Sequence, residues 1–290
     1  MPVPKTPATN LTSAQFDEIS ALVKELCGIN LHDGKQELVR ARLAKRLRAL
    51  GLEHFRDYLE LLRNDPGGAE LTAMLDALST NLTSFFREPV HYDYLVREVI
   101  PGLRASSGRP GRLRIWSAGC ASGEEPYSIV IRLLEEVPDL ESWDFKLLAT
   151  DLSTAALAKA RAGVYTQERL QGVPDHLLQR YFTASEQQRP TTYRAGSALR
   201  KLVQFAHLNL MEPWPMRGPF DVIFCRNVMI YFDKPTQGAL VARFHDLLRP
   251  GGVLFVGHAE SLAGRAEGFT YVQPAVYRRA VEAGPPSEEE

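Results

Sequence analysis

Two acidic residues and a glycine-rich turn are the part of this chain that is best suited to binding a ligand. The stretch 113–131 reads LRIWSAGCASGEEPYSIVI: an apolar run, then small residues around Gly119 and Gly123, then apolar residues at helical spacing. This order predicts a strand, a turn and a helix. In an open parallel sheet the turn after the first strand faces the ligand crevice, and its glycines let the backbone approach a cofactor closely. We therefore expect a nucleotide-like ligand at this turn.

The two acids narrow the choice of ligand. Glu124 opens the helix, where its charge would repel a pyrophosphate, and the glycine spacing departs from the dinucleotide pattern G-x-G-x-x-G. Asp151 ends a second predicted strand, at the position where such folds bind ribose hydroxyls. A ligand with a ribose and a cationic group, such as S-adenosylmethionine, fits both acids. A structural helix cap explains the same turn equally well, so these residues alone leave both interpretations open.

Composition and charge restrict the class of protein. The 290 residues carry 34 Lys and Arg against 35 Asp and Glu, and 44% are hydrophobic, which indicates a globular protein long enough for two domains. No apolar run approaches the ~20 residues that span a bilayer, and the first residues lack the apolar region of a signal peptide. We therefore predict a cytoplasmic protein without membrane insertion. Three widely spaced cysteines without a Cys-x-x-Cys pattern indicate neither disulfides nor a zinc site.

The N-terminal part of the chain predicts a small all-helical domain over 12–80, followed by a linker over 81–92. A capping box of Thr12 and Gln15 begins the helical periodicity. The polar and proline-rich residues 1–11 and the tail 283–290 are expected to be disordered.

One helix of this domain has an unusually basic face. Its apolar stripe is opposed by five cations, with a single acid, Glu37, among them: Lys35, Arg42, Lys45, Arg46 and Arg48. Such a face is either solvated or docks an acidic partner. No aromatic platform accompanies it, so we predict no nucleic-acid partner.

The remainder of the chain predicts an α/β domain over 93–282. Strands and helices alternate from 113 to 257, which favours a doubly wound sheet. The segment 181–206 breaks this alternation with two short strand candidates, 191–195 and 202–206. We predict a small antiparallel β-subdomain there.

Six segments, in this order, resemble the chemotaxis receptor glutamate methyltransferase (CheR) family. They are NLTSFFRE at 81–88, SAGCASGEEPYS at 117–128, ATD at 149–151, LNL at 208–210, FDVIFCRNVMIYFD at 220–233 and LRPGG at 248–252. The resemblance implies an α/β fold: a class I methyltransferase domain with a Rossmann-like doubly wound sheet, an all-helical N-terminal domain and a small antiparallel β-subdomain insertion. It also implies S-adenosyl-L-methionine as cofactor, S-adenosyl-L-homocysteine as product and no metal.

The resemblance assigns site residues as well. It implies nine residues around the cofactor: Asn81, Thr83, Arg87, Glu124, Asp151, Asn209, Leu210, Arg226 and Asn227. Arg87 and Tyr231 are the candidates for holding the substrate. The implied reaction transfers a methyl group to a glutamate carboxylate, and it gives a methyl ester. Because that carboxylate is already ionised at neutral pH, the site must supply alignment rather than a general base.

The implied partner is the cytoplasmic helical region of a methyl-accepting chemoreceptor, whose acids the basic helix would meet; we expect the enzyme to be a monomer. Family members that bind a receptor's C-terminal pentapeptide carry a glycine-rich loop in the β-subdomain, whereas residues 183–192 contain no glycine. We therefore predict a pentapeptide-independent enzyme.

Two alternatives stay open: a methyltransferase for a different substrate, such as a small molecule or nucleic acid, and a non-catalytic S-adenosylmethionine-binding regulator.

Overall fold

The computed structural model describes residues 10–65, 68–107, 111–185, 190–264 and 266–281. The helical N-terminal domain is formed by α1 (Ser13–Cys27), α2 (Gln36–Leu50), α3 (Phe55–Arg63) and α4 (Ala69–Leu78). The predicted capping box is present, since the Thr12 side chain accepts from the Gln15 N–H and the Gln15 side chain accepts from the Thr12 N–H. Gly28 caps the C-terminal end of helix α1, and its φ of 75° is left-handed, which suits glycine.

Apolar side chains from all four helices meet in one core. Fully or nearly fully buried members are Phe16, Ile19, Val23, Val39, Leu43, Leu47, Phe55, Tyr58 and Met74. Leu11, which we assigned to the disordered segment 1–11, is also buried in this core, and its carbonyl accepts from the Gln36 amide. The helical domain therefore begins one residue earlier than predicted. The remaining predictions of disorder, for residues 1–9 and 283–290, lie outside the described residues.

The second domain contains the rest of the helices and the strands that the structure describes. The helices are α5 (Val90–Tyr94), which continues through a π-helical turn (Leu95–Val99) into α6 (Ile100–Ser107), then α7 (Glu124–Glu136), α8 (Thr154–Ala162), α9 (Asp175–Tyr181), α10 (Ser197–Leu202) and α11 (Lys234–Leu247). The strands are β1 (Arg112–Ala118), β2 (Asp144–Asp151), β3 (Val164–Thr166), β4 (Phe182–Ser185), β5 (Thr192–Ala195), β6 (Val203–His207), β7 (Phe220–Cys225), β8 (Leu248–Val256), β9 (Phe269–Gln273) and β10 (Val276–Arg279).

Seven strands form the main sheet in the order β6-β2-β1-β7-β8-β10-β9. Strands β6, β2, β1, β7 and β8 are parallel, and β10 pairs antiparallel with β8 and β9. The order of the chain reverses between β1 and β7. A ligand crevice forms at such a reversal, outside the carboxyl ends of the strands.

The small sheet differs from the predicted β-subdomain. Its order is β3-β5-β4, so it includes β3, which precedes the predicted start at residue 181. The expectation that 202–206 belongs to it is wrong, because β6 runs parallel to β2 from the Leu147–Val203 pair to the Asp151–His207 pair. Three-residue β3 is too short to show a strand period, and an edge strand's sequence does not reveal which sheet it joins.

Candidate functional site

A cleft lies at the carboxyl ends of β1, β2 and β7 and the residues after β6, where the helical domain meets the sheet. Its empty volume, which includes space open to the solvent, is about 910 Å³. One wall comes from the end of α1, with Cys27 and Ile29, and another from residues 79–84, which follow α4 and include the start of the linker. The cleft thus has the position that the chain reversal between β1 and β7 predicts.

Most residues that the resemblance assigns to the site lie together around this cleft. Of the nine cofactor candidates, eight line it: Asn81, Thr83, Arg87, Asp151, Asn209, Leu210, Arg226 and Asn227. The substrate candidate Tyr231 lines it too. These residues come from four separate stretches of the chain, and the fold brings them to one place. Their individual roles stay predictions.

Glu124 is the exception. Its fully buried carboxylate accepts from Ser122 Oγ at 2.8 Å and pairs with the Arg169 guanidinium, and it is not part of the cleft lining. The next residue, Glu125, lines the cleft instead. Successive helical residues point about 100° apart, so two adjacent acids at the start of α7 cannot share one direction. Sequence reasoning missed Glu125 because the order of the letters does not fix the rotation of the helix.

Asp151 holds the glycine turn in place. It is only 8% exposed, and its two oxygens accept from the Ala121 N–H and the Ser153 N–H, each at 2.8 Å. Burial raises the pKa of this carboxyl, while the two N–H groups oppose that rise. Each oxygen keeps a second lone pair, so Asp151 can still accept two ribose hydroxyls.

The glycine turn and the loop after β7 pack tightly together. Gly119 has a φ of 89°, and a Cβ added there would lie 2.3 Å from Val228 Cγ2. Only glycine therefore fits. The glycine turn therefore packs directly against the loop after β7, and Gly119 and Val228 both line the cleft.

Arg226 is a buried hub that joins the linker to the sheet. Its Nη1 donates to Glu125 Oε2 at 3.0 Å and to the Tyr92 hydroxyl at 3.2 Å. Its Nη2 donates to Glu88 Oε2 at 3.0 Å and to the carbonyl of Arg87. Burial raises the pKa of Glu125, and the Arg226 cation opposes that rise. The guanidinium thus positions the segment that carries Arg87 and compensates the carboxylate that faces the cleft.

The helical domain is fastened to the site by polar contacts. Asn209 donates to the carbonyl of Leu26 at 2.6 Å, so one predicted cofactor residue also links α1 to the sheet. The Asn30 N–H donates to the Tyr231 carbonyl at 2.8 Å, and Lys24 pairs with Asp233 at 2.8 Å. These contacts hold the wall formed by the end of α1 against the loop that carries Tyr231.

Four of the five predicted docking cations lie on α2, where they fall into two groups, and Lys35 precedes the helix. Arg42 donates to the carbonyls of Leu78 and Ser79 at 2.6 and 3.0 Å, and Arg46 pairs with the buried Glu70 at 2.5 Å. Lys45 and Arg48 are exposed, and Lys35 is half-buried. The structure therefore gives Arg42 and Arg46 partners within the chain and leaves Lys45 and Arg48 at the surface.

Within the described ranges, one group of three side chains has metal-ligand chemistry. Ligand atoms of Glu88, His91 and His258 lie within 4.8 Å of one another. Glu88 is already paired with Arg226 at 3.0 Å, and that guanidinium opposes a second cation at the same carboxylate. Burial, followed by the Arg226 charge, lowers the pKa of His91 to about 3. The group fits a divalent ion poorly, and the absence of a metal stays a prediction.

None of the helices in the described part of the chain combines the length and the apolar character needed to cross a bilayer.

Comparison with known proteins agrees with the site. The family model described as "CheR methyltransferase, SAM binding domain" matches residues 81–277, and "CheR methyltransferase, all-alpha domain" matches 14–79. A probable chemotaxis protein methyltransferase of Rhizobium etli is 45% identical over 242 residues, which are 83% of this chain and 90% of the relative. The chemotaxis protein methyltransferases of Klebsiella aerogenes and Escherichia coli are 42% and 41% identical over 268 residues, 92% of this chain and 90% and 91% of theirs. By its domains, its cleft and these relatives, the chain belongs to the CheR family of S-adenosylmethionine-dependent methyltransferases.

Proposed function

We propose that this enzyme methylates glutamate side chains in the cytoplasmic helices of a methyl-accepting chemoreceptor, and that it does so as a cytoplasmic monomer without a metal. The observation that carries the proposal is the meeting of Asp151, Glu125, Arg87 and Tyr231 around one cleft. The first two suit a ribose and a cation, and the last two suit a carboxylate.

The residues of the cleft fit S-adenosylmethionine, which when bound supplies a methyl group on a positively charged sulfur. Asp151 accepts from the ribose hydroxyls with its free lone pairs, and the glycine turn at Gly119 admits the nucleoside next to the backbone. Glu88 and Glu125 share the single cation Arg226, so the three side chains together carry a net negative charge, and Glu125 places it toward the cationic end of the ligand. Burial strengthens this attraction, because little water is present to screen it.

Arg87 and Tyr231 orient the incoming glutamate. Arg87 is half-buried, and its Nη1 donates to the carbonyl of Leu82 at 3.2 Å, which steadies the side chain and leaves other donors for a carboxylate. Tyr231 adds a hydroxyl donor. Two donors on one carboxylate leave a lone pair to attack in line, and alignment of this kind can lower a barrier by about 7–11 kcal/mol. Cys27 and Ile29 help to keep water out of the reaction.

The experiment uses the full chain with methyl-labelled S-adenosylmethionine, EDTA and the cytoplasmic fragment of a chemoreceptor from the same source. We expect label on the receptor that alkali releases, because methyl esters hydrolyse in base. Arg87→Ala should lower the rate at saturating cofactor, whereas Arg97→Ala, an exposed arginine outside the cleft, should not.

Other outcomes point to the alternatives. Alkali-stable label, or label on another molecule, would identify a methyltransferase for a different substrate. Cofactor binding in calorimetry with no transfer to any receptor would identify a non-catalytic regulator. An unchanged rate for Arg87→Ala would remove Arg87 from the substrate site.

A further inference from the structure

Glu260 is a buried acidic residue that does not line the cleft. It follows β8 and is 6% exposed. Its Oε2 accepts from the Asn227 N–H at 2.7 Å and from the Gly257 N–H at 2.5 Å, and its Oε1 accepts from the Ile230 N–H at 3.1 Å. One carboxylate thus satisfies three backbone donors from two segments of the chain.

Two of these contacts, from Asn227 and Ile230, join the turn after β8 to the loop 226–232, which follows β7, and the third, from Gly257, lies within that turn. Five residues of this loop line the cleft: Arg226, Asn227, Val228, Tyr231 and Phe232. Apart from a 3-10 turn at Met229–Tyr231, the loop has no regular secondary structure. Asn227 has a left-handed φ of 59°, a conformation that is uncommon for residues other than glycine, although asparagine adopts it more readily than most. The surroundings of the loop help to fix this backbone, and Glu260 supplies two of the fixing contacts.

The turn after β8 has a glycine at the point where the Glu260 carboxylate meets the loop 226–232. A Cβ added at Gly257 would lie 2.5 Å from Asn227 Nδ2 and 2.8 Å from Glu260 Oε2. The absence of a side chain at 257 therefore allows the carboxylate and the loop to come together. On its other side the loop contacts the glycine turn, because Val228 packs against Gly119. The position of the loop therefore also affects the shape of the cleft next to the glycine turn.

We propose that Glu260 is a positioning residue for methyl transfer: by fixing the backbone of loop 226–232, it places Asn227 on the cofactor side and Tyr231 on the substrate side. The inference deepens the proposed function and rests on it for the role of Tyr231. It assigns no contact between Glu260 and either ligand.

The central variant is Glu260→Gln, which keeps the shape of the side chain but turns one acceptor oxygen into an NH₂ donor that faces backbone N–H groups. We expect the Kd for S-adenosylmethionine in calorimetry to rise about tenfold, the consequence expected of losing one buried charged hydrogen bond. The KM for the receptor should rise as well, because Tyr231 moves with the same loop.

Asp221→Asn is the matched control. Asp221 is 3% exposed and lies at the opposite end of β7, where it accepts from the Arg114 N–H and from Arg249 Nε, both at 2.7 Å. Its loss should lower the midpoint of thermal unfolding as much as Glu260→Gln does, yet leave the cofactor Kd unchanged. A loss of cofactor affinity in both variants would show that Glu260 acts only through general stability, and would overturn the proposal.

A double-mutant cycle adds a readout that a purely structural role would not move. Tyr231→Phe should lower kcat/KM for the receptor in the wild-type background and have a clearly smaller effect beside Glu260→Gln, because the loop is already displaced. Fully additive effects would contradict the proposal. If Glu260→Gln does not fold, Gly257→Ala displaces the same contact and should raise the cofactor Kd in the same way; an unchanged Kd would again count against it.

The two proposals can fail separately. The cofactor measurement needs no receptor, so a raised Kd in Glu260→Gln supports the role of Glu260 toward Asn227 even where no receptor is methylated. Conversely, receptor methylation by the wild-type enzyme together with an unchanged Kd in Glu260→Gln would keep the proposed function and remove the positioning role.

Discussion

The guanidinium of Arg226 lies 3.0 Å from the carboxylate of Glu125, and both groups are almost completely buried. The pair connects β7 to the start of α7, and Glu88 joins it from the linker at 3.0 Å. Two carboxylates around one cation make the centre of the site a unit whose members depend on each other. The consequences of breaking it can be measured.

Replacing Arg226 with Met should reduce both stability and activity. The change leaves Glu125 and Glu88 buried near each other without a cation, and removing one partner of a buried pair costs about 3–5 kcal/mol. Urea denaturation should show this loss in the free energy of unfolding, and methylation should be abolished. A variant as stable as the wild type would mean that the two carboxylates are satisfied in another way.

Asp151→Asn should weaken cofactor binding without unfolding the protein. An amide in place of the carboxylate turns one acceptor into a donor next to the Ala121 or Ser153 N–H and removes charge from the ribose site, so we expect the Kd to rise at least about tenfold. Calorimetry with S-adenosylhomocysteine measures it. Asp144→Asn, at the exposed opposite end of β2, is the control and should bind normally. Equal affinity of all three proteins would remove Asp151 from the cofactor site.

The exposed cations of α2 should govern receptor docking. Lys45→Ala combined with Arg48→Ala should raise the receptor KM, and added salt should reduce the difference between variant and wild type because it screens surface charges. Initial methylation rates at low and high ionic strength test this. Arg97→Ala with Lys146→Ala removes the same charge elsewhere and serves as the control. Salt-insensitive wild-type rates would argue against docking by charge.

Arg46 should behave differently from its neighbours on α2. Its guanidinium pairs with Glu70, which is 8% exposed and also accepts from the Tyr58 hydroxyl at 2.8 Å. Arg46→Ala leaves the buried Glu70 carboxylate without its cationic partner, so we expect a loss of about 1–3 kcal/mol in the free energy of unfolding. Urea denaturation separates this effect from docking. A docking defect at unchanged stability would instead place Arg46 with Lys45 and Arg48.

Stability should fall as the pH drops below about 6.5. His91 is fully buried among Phe255, Arg226, Glu88 and His258, and burial lowers its pKa to about 3. The unfolded chain takes up a proton near the ordinary histidine pKa and the folded chain does not. The contribution of neutral His91 is therefore complete above that value and is lost toward pH 3, at up to about 1.4 kcal/mol per pH unit.

Urea unfolding at pH 7, 6 and 5 measures this slope. His91→Phe, which keeps a ring against Phe255, should flatten it, and the exposed His176→Asn should leave it unchanged. The same slope in His91→Phe as in the wild type would show that other groups take up the proton.

Binding of a receptor's C-terminal pentapeptide should be absent. Residues 183–192 contain no glycine, and residues 186–189 lie outside the described part of the structure, so this prediction rests on the sequence. Calorimetry with such a peptide should give no heat of binding at micromolar concentrations. Methylation of a receptor fragment with and without its tail should proceed equally. Micromolar affinity would contradict the prediction.

The sequence by itself determined the family, the two domains and the approximate place of the site. Short motifs carry this information because the structure of each depends on a few neighbouring residues. Examples are the capping box at Thr12, the glycine turn at Gly119 and the acid at the end of β2. Long apolar strands with clear helices between them likewise predicted the doubly wound sheet.

The tertiary structure decided what depends on contacts between distant residues. It placed β6 in the main sheet. A five-residue pattern can predict a strand, but it cannot predict which other strand that strand pairs with. It turned Glu125 rather than Glu124 toward the cleft, because the rotation of α7 is set by packing. It also gave Glu260 its three backbone partners, the nearest of which outside its own turn is 30 residues away along the chain. Residue types and spacing fix the available chemistry, and only folding fixes which groups meet.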